Sequence, residues 1–260
     1  MQQRDRNFIF TLAEGARKTV SEGYYRIEGT PFPRRSMREA IASSKRIPLV
    51  TEVKFKSPAE GELRAAQDVR EIARKFERGG AVGISVLTEP KHFDGRIEYL
   101  TAVKKSVALP VLMKDIIVDP LQVEAAQKIG ADVILLMAGI FRSRLADQPL
   151  GSMIDLAHSK GLEVLLEAHT EEEYRLALNS SADIVGINNR DLGTLAVSLD
   201  TSRRLLALGK QGKLVISESG LSKRSELLEL RSLGADGFLV GSSLMRSKDI
   251  EEAVRELAGA

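Results

Sequence analysis

The chain is expected to fold as an α/β protein, a (β/α)8 barrel of the TIM type carrying an N-terminal helical extension. Three observations predict this. From Pro48 onward, short apolar runs rich in β-formers alternate with amphipathic helical segments, the signature of a parallel sheet buried on both faces. A motif recurs about every 50 residues, roughly twice the length of one strand–helix unit: Gly80-Ala81-Val82, Gly130-Ala131-Asp132, Ser181-Ala182-Asp183 and Gly234-Ala235-Asp236. It therefore marks every second strand. Four marked and four unmarked strands make eight, and eight units over about 210 residues is the size of such a barrel. A doubly wound open sheet is the alternative, but no Gly-x-Gly-x-x-Gly follows the first strand.

Residues 1–46 read as an extension packed on the barrel and 47–260 as the barrel itself, one domain overall. The extension is polar and basic, with Phe8, Phe10, Leu12, Tyr24 and Tyr25 as anchors and breaks at Pro31 and Pro33. Ser36 and Glu39 have capping-box spacing, which predicts a short helix over 36–41. The strands are read as Pro48–Lys54, Val82–Leu87, Val111–Lys114, Asp132–Met137, Glu163–Glu167, Asp183–Asn188, Lys213–Glu218 and Gly237–Val240. Between them helices are read over Val69–Arg78, Pro120–Ile129, Ile154–Lys160, Glu171–Leu178, Ser202–Leu208 and Glu226–Leu233. Arg142-Ser143-Arg144 is read as the start of the fourth helix, and Glu171-Glu172-Glu173 as a solvated face.

Composition narrows the function. The chain is 43% hydrophobic and 28% charged with a net charge of +2, ordinary for a globular protein and without the basic excess that nucleic-acid binding requires. With no cysteine, disulfides, zinc thiolate sites and cysteine nucleophiles are excluded. No apolar run reaches about 18 residues and no secretory signal opens the chain, so the expected location is cytoplasmic and away from membranes. His92, His158 and His169 share no ligand spacing, and no metal site is expected; His169 is close enough to Glu167 to influence it.

Active sites of these barrels lie at the C-terminal ends of the strands. The polar residues that end otherwise apolar runs here are Glu52 and Lys54, Lys114 with Asp115, Glu167, Asn188, and Glu218 with Ser219. Most of this charge falls on odd-numbered strands, and alternate strands feed the same inward layer, so it should converge on one mouth. Glu52 and Lys54 stand two apart and face the same way. Pro58 ends the first run. Ser217–Ser222 and Val240–Met245 leave the seventh and eighth strands as Gly/Ser turns, offering free N–H groups and hydroxyls to a phosphate, with Lys56 and Ser57 positioned to close the cradle. The ligand is thus a phosphorylated small molecule needing both proton donation and removal. A strand-end lysine serves as general acid, Schiff-base nucleophile or fixed charge, which leaves a phosphosugar aldolase or isomerase, or an inactive metabolite-binding barrel, as alternatives.

The motifs Glu-x-Lys-x-x-Ser-Pro at Glu52–Pro58, Leu-Met-Lys-Asp at Leu112–Asp115, Gly-Ile-Asn-x-Arg-Asp-Leu at Gly186–Leu192, Glu-Ser-Gly at Glu218–Gly220 and Gly-Ser-Ser-Leu-Met at Gly241–Met245 occur in that order. Together they closely resemble the indole-3-glycerol phosphate synthases of tryptophan biosynthesis, from about residue 36 to the end. The resemblance implies a carboxy-lyase that closes the pyrrole ring of 1-(2-carboxyphenylamino)-1-deoxyribulose 5-phosphate with loss of carbon dioxide and water, and an extra helix before the barrel. It implies Lys114 as the acid that protonates the ketose carbonyl, with Glu52, Lys54 and Glu167 as a group handling later proton transfers. Asn188 and Arg190 would orient the carboxylate and hydroxyls; Glu218 and Ser219 would line the sugar. Ser57, Gly220, Gly241 and Ser242 would hold phosphate, and Phe93 would face the anthranilate ring with Leu135 and Met137 behind it. No cofactor is implied. A monomer is expected, with association with other tryptophan-pathway enzymes as the alternative. Ile116 stands where many members have an aromatic, which loosens the anthranilate pocket, and Thr51 stands where a small apolar residue is usual.

Overall fold

The computed structural model describes residues 3–29, 32–57, 60–65 and 67–259, with side chains from residue 8 onward. Pro31 and Pro58 lie outside the described residues. Eight parallel strands close on themselves: β1 Leu49–Val53, β2 Gly83–Leu87, β3 Val111–Lys114, β4 Val133–Met137, β5 Glu163–Ala168, β6 Ile184–Asn188, β7 Leu214–Glu218 and β8 Gly237–Val240, with β8 pairing back onto β1. A hairpin, Lys56–Ser57 against Gly61–Glu62, follows β1. Helices α1 Gln3–Ser21 and α2 Met37–Ala42 precede the barrel. Around it run α3 Val69–Arg78, α4 Ile97–Ser106, α5 Pro120–Ile129, α6 Ala138–Arg142, α7 Leu150–Ser159, α8 Glu171–Leu178, α9 Asp200–Leu206, α10 Arg224–Ser232, α11 Ser242–Arg246 and α12 Ile250–Ala258. Among the described residues no helix is long and apolar enough to cross a membrane.

The strands are nearly unbroken apolar runs because both faces are covered, and their two faces build two cores. Outward-facing residues such as Val53, Val86, Met113, Leu136 and Leu166 pack with the surrounding helices. Inward-facing Val50, Leu112, Leu165 and Ile216 from odd strands join Leu135, Ile184 and Leu239 from even strands to fill the barrel. At the N-terminal end α2 plugs the opening. Met37 and Ile41 reach the inner cluster across Gly83 and Gly237, where any Cβ would meet their side chains. Ser36 caps α2 by accepting the Glu39 N–H at 3.0 Å, and Glu163 at the start of β5 accepts the next orphan donors, from Met37 at 2.9 Å and Arg38 at 3.1 Å. One cap thus fixes the plug to a barrel strand.

Helix α1 lies across the opposite mouth, burying Ile9, Leu12, Ala13 and Ala16 against the inner core. The helical extension and the extra helix implied by the resemblance are present, although residue pattern alone located only the short helix before β1. Of the five buried positions described in α1, two are alanines and one is Thr19, too weak an apolar stripe to register. Phe10 is half exposed and anchors nothing, whereas buried Tyr25 donates to Asp115 at 2.9 Å, joining the extension to the end of β3. Arg142 does not begin the fourth barrel helix. It closes α6, a turn that leaves β4 directly, and Arg144 follows with φ 56°; the barrel helix α7 starts only after Pro149. Nor is Glu173 solvated: it is 1% exposed.

The repeat has a physical cause. Asp132, Asp183 and Asp236 each open an even strand, and each carboxylate accepts the N–H at the start of the preceding odd strand, Val111, Val164 and Val215, all at 2.8 Å. Each aspartate's own N–H returns to the carbonyl of that same residue. The result is a two-point clamp, backed by a contact from Lys104 at 2.6 Å, His158 at 2.9 Å and Lys210 at 2.7 Å. Val82 of the first copy keeps only the backbone half. Lys104 and Asp132 are fully buried, and removing one partner of such a pair strands the other charge. Asp132→Ala is therefore expected to lower unfolding free energy by about 3–5 kcal/mol, measured by urea denaturation.

Candidate active site

The side chains that end the odd strands meet on the barrel axis. Lys114 Nζ, from β3, sits 2.8 Å from Glu218 Oε2 of β7 and 3.1 Å from Glu167 Oε2 of β5. From β1, Glu52 Oε2 lies 2.9 Å from Lys54 Nζ, the two residues being on one face of the exiting chain. Two ammonium groups thus face three carboxylates whose side chains are at most 3% exposed. Burial by itself would push the Lys114 ammonium down, but Glu167, Glu218 and Glu52 outweigh it and hold it above its usual range. For Glu167, Lys114 and His169 overcome burial and hold the carboxyl below its usual range. Glu218 has the opposite balance: burial, aided by the charges of Glu167 and Glu52, exceeds the pull of Lys114 and pushes it up to about 7. The lysine is therefore a charged acid lying between one committed carboxylate and one that is half protonated near neutrality.

Two glycines make room for this cluster. A Cβ on Gly186, which pairs with Glu167 across β5 and β6, would collide with Glu218 Oε1. A Cβ on Gly241 would stand 2.5 Å from Glu52 Oε2. Both glycines are required by the charges beside them rather than by turn geometry.

Above the cluster opens a cavity of about 280 Å³. Its polar side holds Asn188, Arg190, Ser57, Ser219, Gly220, Gly241 and Ser242; its apolar side holds Phe93, Leu135, Met137 and Ile116. Ser219 (φ 68°) and Gly220 (φ 78°) turn left-handed in succession, and buried Asn189 fixes that turn by donating to the carbonyls of Glu218 at 2.9 Å and Ser219 at 3.1 Å. Phe93 is presented by a loop wound on Glu89, whose carboxylate accepts the N–H groups of Lys91, His92 and Phe93. Of the residues singled out from sequence, Glu52, Lys54, Lys114, Glu167 and Asn188 face this cavity, and Glu218 lies beneath it against Lys114. Lys56 does not: it is exposed on the hairpin, because on an extended chain its neighbour Ser57 takes the inward direction. Thr51 is wholly buried in β1 and, like Asp115, serves the scaffold.

Sequence reading missed several residues here. Phe8 and Leu12 of α1 complete the apolar wall. Arg246 stands one helical turn after Ser242, a spacing that could have been noticed. Glu60 gave no signal, yet its carboxylate receives Arg190 at 2.7 Å, Arg246 at 2.7 Å and the Ser242 hydroxyl at 3.1 Å. Burial would raise Glu60, but Ser242, Lys54, Arg246 and Arg190 together hold it below its usual range. A carboxylate thus occupies the donor set that an anionic substrate group would need.

The other histidines lie apart. His158 pairs with Asp183 at the barrel's N-terminal end, and His92 packs against Gly15 of α1. Among the described residues no group of three or more His, Asp or Glu side chains is arranged to hold a metal ion.

Comparison with known proteins agrees with this geometry. The family model described as indole-3-glycerol phosphate synthase matches residues 13–257. The indole-3-glycerol phosphate synthase of Methanopyrus kandleri is 46% identical over 233 residues, covering 87% of this chain and 88% of that protein. Those of Campylobacter curvus (40% over 229 residues, 87% and 86% covered) and Aquifex aeolicus (42% over 213 residues, 81% of each) are also similar. Among solved structures, thiamine phosphate pyrophosphorylase from Pyrococcus furiosus superposes with a TM-score of 0.61 at 18% identity, covering 85% of this chain and 96% of that one. A mutant tryptophan synthase alpha-subunit from the same organism gives 0.61 at 17%, covering 82% and 98%. At such identities the structures speak for the fold alone, and it is the sequence relatives that carry the assignment. This chain belongs to the indole-3-glycerol phosphate synthase family.

Proposed function

We propose that the odd-strand cluster carries out the family's reaction, the closure, decarboxylation and dehydration that yield indole-3-glycerol phosphate, with Lys114 as the first acid. The observation that carries this is the Lys114 ammonium, held between Glu167 and Glu218 on the floor of a cavity with one polar and one apolar wall. Lys114 donates its proton to the ketose carbonyl, and the aromatic carbon that bears the carboxylate attacks the activated carbon. Carbon dioxide then leaves, and its bonding electrons restore the aromatic ring. In the dehydration the new hydroxyl takes a proton and departs as water, while a base removes the ring C–H proton. Glu52, Lys54 and Glu167 supply that acid and base as a group. The Glu52–Lys54 contact supports both proton exchange and a fixed charge for the carboxylate.

Asn188, whose Oδ1 accepts the Arg190 N–H at 2.9 Å, and Arg190 orient the carboxylate and hydroxyls. Glu218 and Ser219 line the sugar. Phe93, Leu135 and Met137 face the anthranilate ring, with Ile116 leaving that wall wider than an aromatic would. Ser57, Gly220, Gly241 and Ser242 take the phosphate, with Arg246 beside them and Lys56 outside contact. Residues 1–46 act as part of one domain with the barrel, α1 being a wall of the site. A monomer located in the cytoplasm accounts for the chain as read, since no residue of a second copy is needed to complete the cavity.

Mixing the protein with 1-(2-carboxyphenylamino)-1-deoxyribulose 5-phosphate and following indole fluorescence tests the reading. Lys114→Ala is expected to lose several orders of magnitude in kcat with a much smaller change in KM; unchanged turnover would refute the assignment of the acid. Gly186→Ala should push Glu218 off Lys114 and reduce kcat about 10²-fold while circular dichroism remains native. Because Glu60 occupies the phosphate donors, Glu60→Gln should lower KM about 2–5-fold, the worth of one partly exposed ion pair, and a raised KM would mean that Glu60 organises the cradle instead.

A further inference from the structure

His169 is a buried titratable group beside the site that the mechanism above leaves unused. It follows β5 directly, two residues beyond Glu167, so the chain directs both side chains to the same side. Its Nε2 lies 3.4 Å from Glu167 Oε1, the oxygen that does not bind Lys114. Its Nδ1 lies 3.5 Å from Glu173 Oε2, on α8, and its backbone N–H donates to that same oxygen at 2.8 Å. Glu173 is as buried as Glu167, and a Cβ on Gly139 would stand 3.0 Å from its other oxygen, so it is held in place from α6. The imidazole thus lies between two carboxylates, one nitrogen toward each, with Nε2 making no hydrogen bond in this arrangement.

The two carboxylates face different spaces. Glu167 lines the substrate cavity, whereas His169 and Glu173 line a second cavity of about 160 Å³ behind it, with Asp191, Thr201 and Arg204 on its far side. Asn188 and Arg190 border both, so the two cavities are separated by little more than these side chains and the imidazole.

The reaction itself requires proton traffic. The carboxylate leaves as carbon dioxide without a proton of its own, and the dehydration returns the proton it uses. Each turnover therefore takes up one proton, withdrawn first from Lys114. Resting on the assignment of Lys114 as the acid, we propose that His169 is a proton relay that returns this proton from the second cavity, through Glu167, to Lys114. Starting with its proton on Nε2 and Nδ1 bare, the imidazole passes the Nε2 proton to Glu167 Oε1 as Nδ1 takes another from the Glu173 side, and a ring flip restores the starting tautomer, so no net charge is left behind. Glu167 holds Lys114 at 3.1 Å through its other oxygen, so rotation of the protonated carboxyl completes the path. The charged groups facing His169 are Glu167 from β5, Glu173 from α8, Glu218 from β7 and Asp191 from the chain after β6, with Arg142 acting on Glu173 from α6. Burial would push the imidazole down, but these carboxylates hold it above its usual range, which favours uptake of the incoming proton.

A relay and a mere positioning residue differ in when they are needed. The first turnover uses the proton already on Lys114, and only later turnovers need resupply. In His169→Gln, with enzyme in excess, the single-turnover rate is expected to stay within about twofold of the parent, while steady-state kcat falls by about 10-fold or more and KM moves little. In His169→Ala, added imidazole should restore the steady-state rate in proportion to its concentration, with no such effect on the parent. Glu173→Gln should repeat the pattern more mildly and guards against a folding defect in the histidine variants. A single-turnover rate that falls as far as kcat would overturn the relay and leave His169 as a positioning residue for Glu167. A steady-state loss indifferent to imidazole and other buffers would overturn it as well. Neither result touches the underlying reading, which fails only if Lys114→Ala keeps its turnover.

Discussion

The contact on which the site depends is the one ammonium of Lys114 shared by Glu167 and Glu218. Three buried carboxylates and two lysines cannot all be balanced by pairing, and an unpaired buried charge is worth several kcal/mol of destabilisation. The molecule resolves the excess by letting the charge on Glu218 fall to partial occupancy, since burial pushes it up to about 7. Lys114 stays charged because its neighbours are anionic, and Glu167 stays anionic because Lys114 and the imidazole of His169 are beside it. The protonation states of Lys114, Glu167 and Glu218 are set chiefly by one another, so removal of any one of the three changes the chemistry available to the other two.

That arrangement needs strands held in register, and the opposite end of the barrel supplies it. The three aspartate clamps pin the entries of β3, β5 and β7, which are the strands that deliver Lys114, Glu167 and Glu218 at their exits. A slip of one residue would turn every side chain to the other face and scatter the cluster. Stability and chemistry therefore occupy opposite ends of the same three strands, as is general for barrels of this kind. The fourth odd strand, β1, lacks an aspartate clamp and is instead flanked by α2, which plugs the barrel beside it at Gly237 and Gly83.

Much of this was legible in the sequence because it rests on local pattern. Unbroken apolar strands, the recurring Gly-Ala-Asp and charged strand ends each follow from residues near one another in the chain, and they locate the barrel and most of its site. What escaped was what depends on distant packing. The extra helix was expected from the resemblance, but the bounds and buried face of α1 were not, because alanines at 13 and 16 hide its stripe. Glu173 looks like one of three solvated glutamates until α6 and His169 enclose it. Lys56 fits a basic motif, yet the alternation of an extended chain turns it outward and Ser57 inward. Glu60 is invisible for the same reason, since its meaning comes from Arg190 and Arg246, which lie far along the chain.

The same principle governs how a polyanionic substrate can enter. Cations waiting in a cleft without partners would be costly to desolvate, and here each one is already paired: Lys114 with two glutamates, Lys54 with Glu52, Arg190 and Arg246 with Glu60. On the assignment proposed above, binding is therefore an exchange of anions rather than the filling of a bare positive site. The exchange is uneven. Glu52, Glu167 and Glu218 are fixed by barrel strands and cannot yield, so at the reacting end the substrate joins an intact network. Glu60 is carried by a short hairpin outside the barrel ladder, so on the assignment proposed above it is at the phosphate end that a protein carboxylate would give way to the substrate's own charge.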